Sequence, residues 1–296
     1  MAIDQADKLR RLKKTEAQAA PERLVREGEV VRIAVTSGKG GVGKSNFALN
    51  TAIALSGFGK RVLLIDADTN LANLDILMGL NPKYNLSDVF TGTKTIPEII
   101  QPGPEGLEIL PGSSGMIEML ELEHQVQRKL VESFNELEKQ YDFVILDTGA
   151  GLTKDILAYA TSSDEVVIVT NREPTAITDA YAMIKVISHT SPTTRLHVLV
   201  NMVRSAQDAA EVFDKLNLVV QNFLSVPISY LGHIPIDPNV ATAVGHQAAF
   251  MTMFPKCAAS VAIRMTARKI IQVDRKSSAP RGRSFLSRLM RPAREA

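Results

Sequence analysis

At 296 residues, with 45% hydrophobic and 22% charged residues, the chain has a globular composition and can bury a sizeable core, as one large α/β domain with tails or two small domains. Its single cysteine, Cys257, excludes an intrachain disulfide and any C-x-x-C metal or redox motif. The net charge of +2 hides an uneven distribution: residues 275–296 carry seven Lys/Arg against one acid, which predicts an anionic partner for the tail, membrane or nucleic acid.

Residues 1–27 are rich in Lys, Arg, Glu, Gln and Ala, with a thin apolar stripe of Ile3, Leu9 and Leu12, and read as a mobile arm rather than as part of a core. There is no basic-then-apolar signal pattern, and no apolar run approaches the ~18 residues of a membrane span, so a cytoplasmic protein, soluble or peripheral, is expected.

Over 28–273 strand-like and helix-like segments alternate as in parallel βα units. Strands are expected at Val30–Thr36, Arg61–Asp66, Leu107–Leu110, Phe143–Asp147, Glu165–Thr170, Leu196–Asn201 and Ile228–Ile234. Helices are expected at Ser45–Ser56, Ser114–Lys139, Thr153–Thr161, Pro174–Ser188, Ala206–Leu224 and Lys256–Gln272, with two short helices and loops in Asn81–Pro111. Continuous Val/Ile/Leu strands predict a doubly wound, mostly parallel sheet covered by helices on both faces, with ligands beyond the strand carboxyl ends. From 274 to 296 the composition turns to Ser/Pro/Gly/Arg, a basic linker that ends the domain.

The first strand runs into Gly38-Lys39-Gly40-Gly41-Val42-Gly43-Lys44-Ser45-Asn46. The glycines let successive N–H groups turn inward, and the following helix adds its positive end, which makes a phosphate nest. Lys44 is placed to reach the β- and γ-phosphates of a nucleotide and the Ser45 hydroxyl to ligate Mg²⁺. After the second strand, Asp66 and Asp68 offer two carboxylates one residue apart, suited to a magnesium shell and an attacking water. The fourth strand delivers a single acid, Asp147, followed by Thr148-Gly149-Ala150-Gly151.

The pattern K-G-G-x-G-K-[ST] resembles the deviant Walker A box of the MinD/ParA superfamily, in which Lys39 would be the signature lysine that crosses a dimer interface to the partner's nucleotide. By that resemblance Asp68 positions or activates the hydrolytic water, Asp66 and Asp147 order the Mg²⁺ shell, and Asn201 and the Pro235–Asp237 loop contact adenine. Asn70 stands where the family usually has glycine, and Arg172 where it usually has proline; Arg172 is given no role.

Three features resemble the FlhG (FleN/YlxH) branch. The arm matches D-Q-A-x-x-L-R at Asp4, Gln5, Ala6, Leu9 and Arg10; a glutamine amide can both donate and accept, and the resemblance implies stimulation of FlhF, a signal-recognition-type GTPase. The block Glu173-Pro174-Thr175-Ala176-Ile177-Thr178-Asp179-Ala180-Tyr181 is similar to one shared with MinD relatives. In the tail, a helix would align Phe285, Leu286, Leu289 and Met290, with Arg288 and Arg291 beside the stripe, as an amphipathic element for an anionic membrane. The implied function is an ATP-dependent dimerising, membrane-cycling ATPase that controls flagellar number and placement, with flagellar basal-body or C-ring components and a flagellar transcription activator as further partners. DNA is not an expected partner on this reading; the alternative is a partition or division-site ATPase acting on DNA or the division machinery.

Overall fold

The computed structural model describes residues 30–68, 73–112, 122–276 and 285–290. Eight strands form one sheet: β1 Val31–Ser37, β2 Val62–Ala67, β3 Gln101–Pro102, β4 Glu108–Leu110, β5 Phe143–Ala150, β6 Glu165–Thr170, β7 Arg195–Val203 and β8 Ile228–Pro235. Their order is β3-β4-β2-β5-β1-β6-β7-β8, parallel except for β3, which pairs antiparallel with β4. The two-residue β3 escaped the sequence reading because a pair of residues ending in proline carries no periodic signal.

The helices are α1 Lys44–Gly57, α2 Asn73–Met78, α3 Leu86–Phe90, α4 Ile96–Ile99, α5 His124–Glu138, α6 Lys154–Ser162, α7 Pro174–Thr190, α8 Ala206–Phe223, α9 Pro238–Gly245, α10 Phe250–Met253, α11 Ala258–Lys276 and α12 Phe285–Leu289. The helix expected from Ser114 is described only from His124, and α11 runs past the expected domain end at 273 to Lys276.

One face of the sheet packs against α1 and α9–α11 around Ile33, Leu64, Ile145, Leu199 and Ile263. The other carries α5–α8 and α12, over Leu63, Val144 and Leu146 at one end and Val166, Val198 and Val200 at the other. Alternate residues of β1, β2 and β5 thus enter different cores, as a sheet buried on both faces requires. Helix α1 is nearly all buried, because α11 covers the side turned away from the sheet.

The parallel register decides the chemistry. Asp66 pairs with Asp147, so β2 and β5 deliver their terminal acids side by side. Strand β1 lies next to β5 and ends in the glycine loop, which faces both acids.

Candidate active site

The loop turns into α1 through Gly41 and Gly43, at φ 79° and 87°, in the left-handed region that favours glycine. Gly43 is also walled in, since a Cβ there would meet Asn201 Nδ2 at 2.2 Å. Gly38 is fixed by a close approach: a Cβ would lie 2.5 Å from that of Asp179 on α7. Gly40 and Gly41 have open space on the side where a Cβ would stand.

At the base of the loop, Lys44 Nζ donates to Asp147 Oδ1 at 2.9 Å and to Ser45 Oγ at 3.2 Å. Asp66 Oδ1 accepts from the Asp68 amide at 3.1 Å and its Oδ2 from the Leu74 amide at 3.3 Å. Asp66 therefore shapes the bend that presents Asp68, beyond the magnesium-shell role expected of it. Asp66, Asp68 and Asp147 are all buried.

Burial, and then the charge of Asp147, push the Asp66 carboxyl up to about 7. Burial also raises Asp147, against the opposing pull of Lys44 and Ser45. Three buried acids lie together here, the buried Lys44 pairs with Asp147, and Asp147 Oδ2 is buried with no hydrogen-bond partner among the described residues. An unsatisfied carboxylate oxygen beside a hydroxyl and further oxygens is the donor set of a hard divalent cation, so these residues fit Mg²⁺. Ser45 and Asp147 would hold the ion, directly or through water, and Asp66 would support its shell.

Sequence reasoning missed Gly112. A Cβ on it would fall 1.4 Å from the Asp66 carbonyl oxygen, so only glycine lets the end of β4 pass the acid. The local signal was a glycine just after an apolar strand, which is too common to single out.

Beside the loop lies a cavity of about 560 Å³, lined by Gly43, Asn46, Phe47, Met202, Pro235 and Val240 among others. Apolar walls next to a phosphate nest suit a nucleobase.

The family described as AAA domain matches residues 30–199. The chain is 41% identical to the antiactivator FleN of Pseudomonas aeruginosa over 238 residues, covering 80% of this chain and 85% of that one. It is 38% identical to the flagellum site-determining protein YlxH of Helicobacter pylori, with 70% of each chain covered. The septum site-determining protein MinD of Pyrococcus horikoshii, solved with Mg-ADP, superposes with a TM-score of 0.65 at 25% identity, covering 83% of this chain and 97% of that one. This chain belongs to the MinD/ParA ATPase family, in its FlhG (FleN/YlxH) branch.

Several of these residues have partners within the chain that the sequence does not name. Lys39, expected to reach across to a partner's nucleotide, is paired within its own chain with Glu173 and donates to Thr175 Oγ1 at 3.0 Å. This exposed pair sits at the start of α7, inside the block that resembles MinD relatives. Asn201, expected at adenine, spends Nδ2 on the Val42 carbonyl at 2.8 Å and Oδ1 on the Met202 amide, and so ties the loop to β7. Its neighbour Met202 lines the cavity at φ 56°, a strained setting for a side chain with a Cβ. The Asp237 carboxylate caps α9 through the Asn239 amide and accepts from the Ala259 amide. Arg172 pairs with Asp208. His197 is buried against Glu165 at 3.3 Å, and His233 bonds the Tyr230 hydroxyl, as packing histidines do.

The tail differs most. Phe285–Leu289 is helical, as expected, but its apolar stripe is covered by its own domain. Phe285, Leu286 and Leu289 are buried among α5, α6 and the sheet, with the Phe285 ring 6.2 Å from that of Tyr159 and Met290 packed alongside. Arg288 pairs with Asp164 at 2.9 Å, and the Phe285 amide donates to Glu138 at 3.3 Å. These two acids are also the partners of Arg32, a buried arginine on β1. A stripe of four apolar residues looks the same in sequence whether a bilayer or a groove covers it. The arm residues Asp4, Gln5, Ala6, Leu9 and Arg10, and also Asn70 and Arg291, lie outside the described residues.

Proposed function

We propose that this protein is a Mg²⁺-dependent ATP hydrolase that works as a slow dimerising switch in flagellar placement and number control. The observation that carries the reading is the convergence of Lys44, Ser45, Asp66, Asp68 and Asp147 on a glycine loop whose second lysine, Lys39, stands on the exposed rim. Loop amides and the α1 N-terminus bind the phosphates. Lys44 would exchange Asp147 for the phosphate oxygens, and Asp147 with Ser45 would hold Mg²⁺, which would supply positive charge there. Asp68, held by its amide on Asp66, orients a water and takes its proton. Lys39 exchanges Glu173 for the partner's nucleotide as two chains close over their phosphates.

The flagellar assignment is drawn from the antiactivator FleN and the site-determining YlxH among the relatives. On this reading the dimer cycles between the cytoplasm and the inner face of the membrane. Because the stripe of α12 is covered in the monomer, membrane binding requires α12 to leave its groove, and pairing two such short helices makes a weak anchor effective. The arm stimulates a partner signal-recognition-type GTPase through Gln5. The second reading, a division-site or partition ATPase, is favoured by the MinD relatives.

Phosphate release by the full chain with Mg·ATP tests the enzyme: Asp68→Ala should abolish turnover while preserving an ATP-induced dimer, and Lys39→Ala should lose the dimer. Turnover that survives Asp68→Ala contradicts the assignment. Gln5→Ala should keep ATP turnover and lose stimulation of the partner GTPase.

A further inference from the structure

The helical layer formed by α1 and α9–α11 has an unusual charge distribution. No Asp or Glu occurs in residues 30–65 or in 238–273, the two stretches that build it. Among the described side chains, Glu105 beside Gly57 and Asp237 capping α9 stand at its margins, and the next acid in the sequence is Asp274. The exposed side of α11 presents Arg268 and Lys269, with Lys256 just before the helix and Arg264 partly covered. None of these four pairs with a carboxylate among the described residues. Arg268 lies over the Phe58 ring, Lys269 over the Tyr230 ring, and Arg264 donates to the Met251 sulfur. Met265, 61% exposed, Val261, 44%, and Met253, 40%, stand among the cations.

We propose that this face is a second contact for an anionic bilayer, one that lies flat on lipid headgroups and orients the ATPase once α12 has inserted. The proposal rests on the membrane reading given above. Three features favour a planar anionic surface over a point ligand or an acidic peptide. The face is extended, since α11 is about 28 Å long at ~1.5 Å per residue. Its cations are spread along it and do not converge on a pocket, and exposed thioether and aliphatic side chains lie between them at the depth of the headgroups. It is also continuous in the chain with the basic tail. Residues 277–284 separate α11 from α12, and eight residues span at most roughly 26–29 Å. That reach lets α12, docked on the opposite face of the sheet, come round to the α11 side.

Flotation of the full chain with ATP tests this, using phosphatidylcholine vesicles with and without phosphatidylglycerol. Arg268→Gln with Lys269→Gln should weaken binding to the phosphatidylglycerol vesicles about 30-fold and leave ATP turnover unchanged. Met265→Asp, which touches neither ring contact, should weaken it in the same direction. Leu286→Glu should abolish binding to both vesicle types. Undiminished binding by the double variant and by Met265→Asp, with Leu286→Glu still defective, overturns the second contact and leaves the membrane reading intact. Wild-type protein that ignores both vesicle types overturns both. Salt-sensitive duplex DNA binding lost in the double variant, without a change on vesicles, assigns the face to nucleic acid and contradicts the proposal.

Discussion

Two buried charge clusters sit at opposite ends of β1, and they are built on opposite principles. At the carboxyl end, Asp66, Asp68 and Asp147 lie together, Lys44 pairs with Asp147, and one Asp147 oxygen has no hydrogen-bond partner among the described residues. At the amino end, Arg32 and Arg288 face Glu138 and Asp164, two cations to two acids, with oxygens of both acids also taken by backbone amides. The first cluster is short of positive charge, and the second is complete. An incomplete cluster is one a ligand can finish, whereas a complete one holds structure together, here the central strand, the end of α5 and the tail helix.

The largest expected effect tests the complete cluster. Arg32→Ala leaves Glu138 buried without its cation, while Asp164 keeps Arg288, and should cost about 3–5 kcal/mol, read as a fall in the denaturant midpoint. A loss within error would mean that the cluster is solvated and the contrast false.

Gly112→Ala addresses the incomplete cluster. Its Cβ would displace the Asp66 backbone, and misplacing the acids should lower ATP turnover about 100-fold and also lower the melting temperature, because main chain has to shift.

A third test uses pH. Asp66 is raised in the fold from 3.8 to about 7, so its ionisation opposes folding. In metal-free protein its contribution to stability is greatest below pH ~4 and is lost as pH rises towards about 7. Thermal melts in chelator should therefore fall more steeply with pH across that window for wild type than for Asp66→Asn. The smallest effect is Arg172→Ala: it removes an exposed pair with Asp208 and should change stability by less than about 1 kcal/mol and turnover not at all.

Most of the architecture was legible in the sequence because strands buried on both faces are continuous apolar runs, and Asp66 and Asp147 each follow such a run directly. Val30-Val31-Arg32-Ile33 also places a charged residue inside a buried strand, which demands partners. Its partners Glu138 and Asp164 are more than 100 residues away, and no local pattern could name them. The same limit applied to Gly112 and to the groove under α12: a close approach or a covered stripe depends on what the fold brings alongside. Lys39 and Asn201 stand out by pattern, whereas their partners in this chain, Glu173 and the Val42 carbonyl, are visible only in the fold.

The central claim is that the carboxyl-end cluster lacks a cation that Mg·nucleotide supplies. Calorimetric titration of preformed Mg·ADP near pH 7, in two buffers of different ionisation enthalpy, measures it directly. Wild-type protein should release protons on binding as the raised Asp66 carboxyl ionises, and Asp66→Asn should bind without that release. Equal proton release from both proteins would contradict the account.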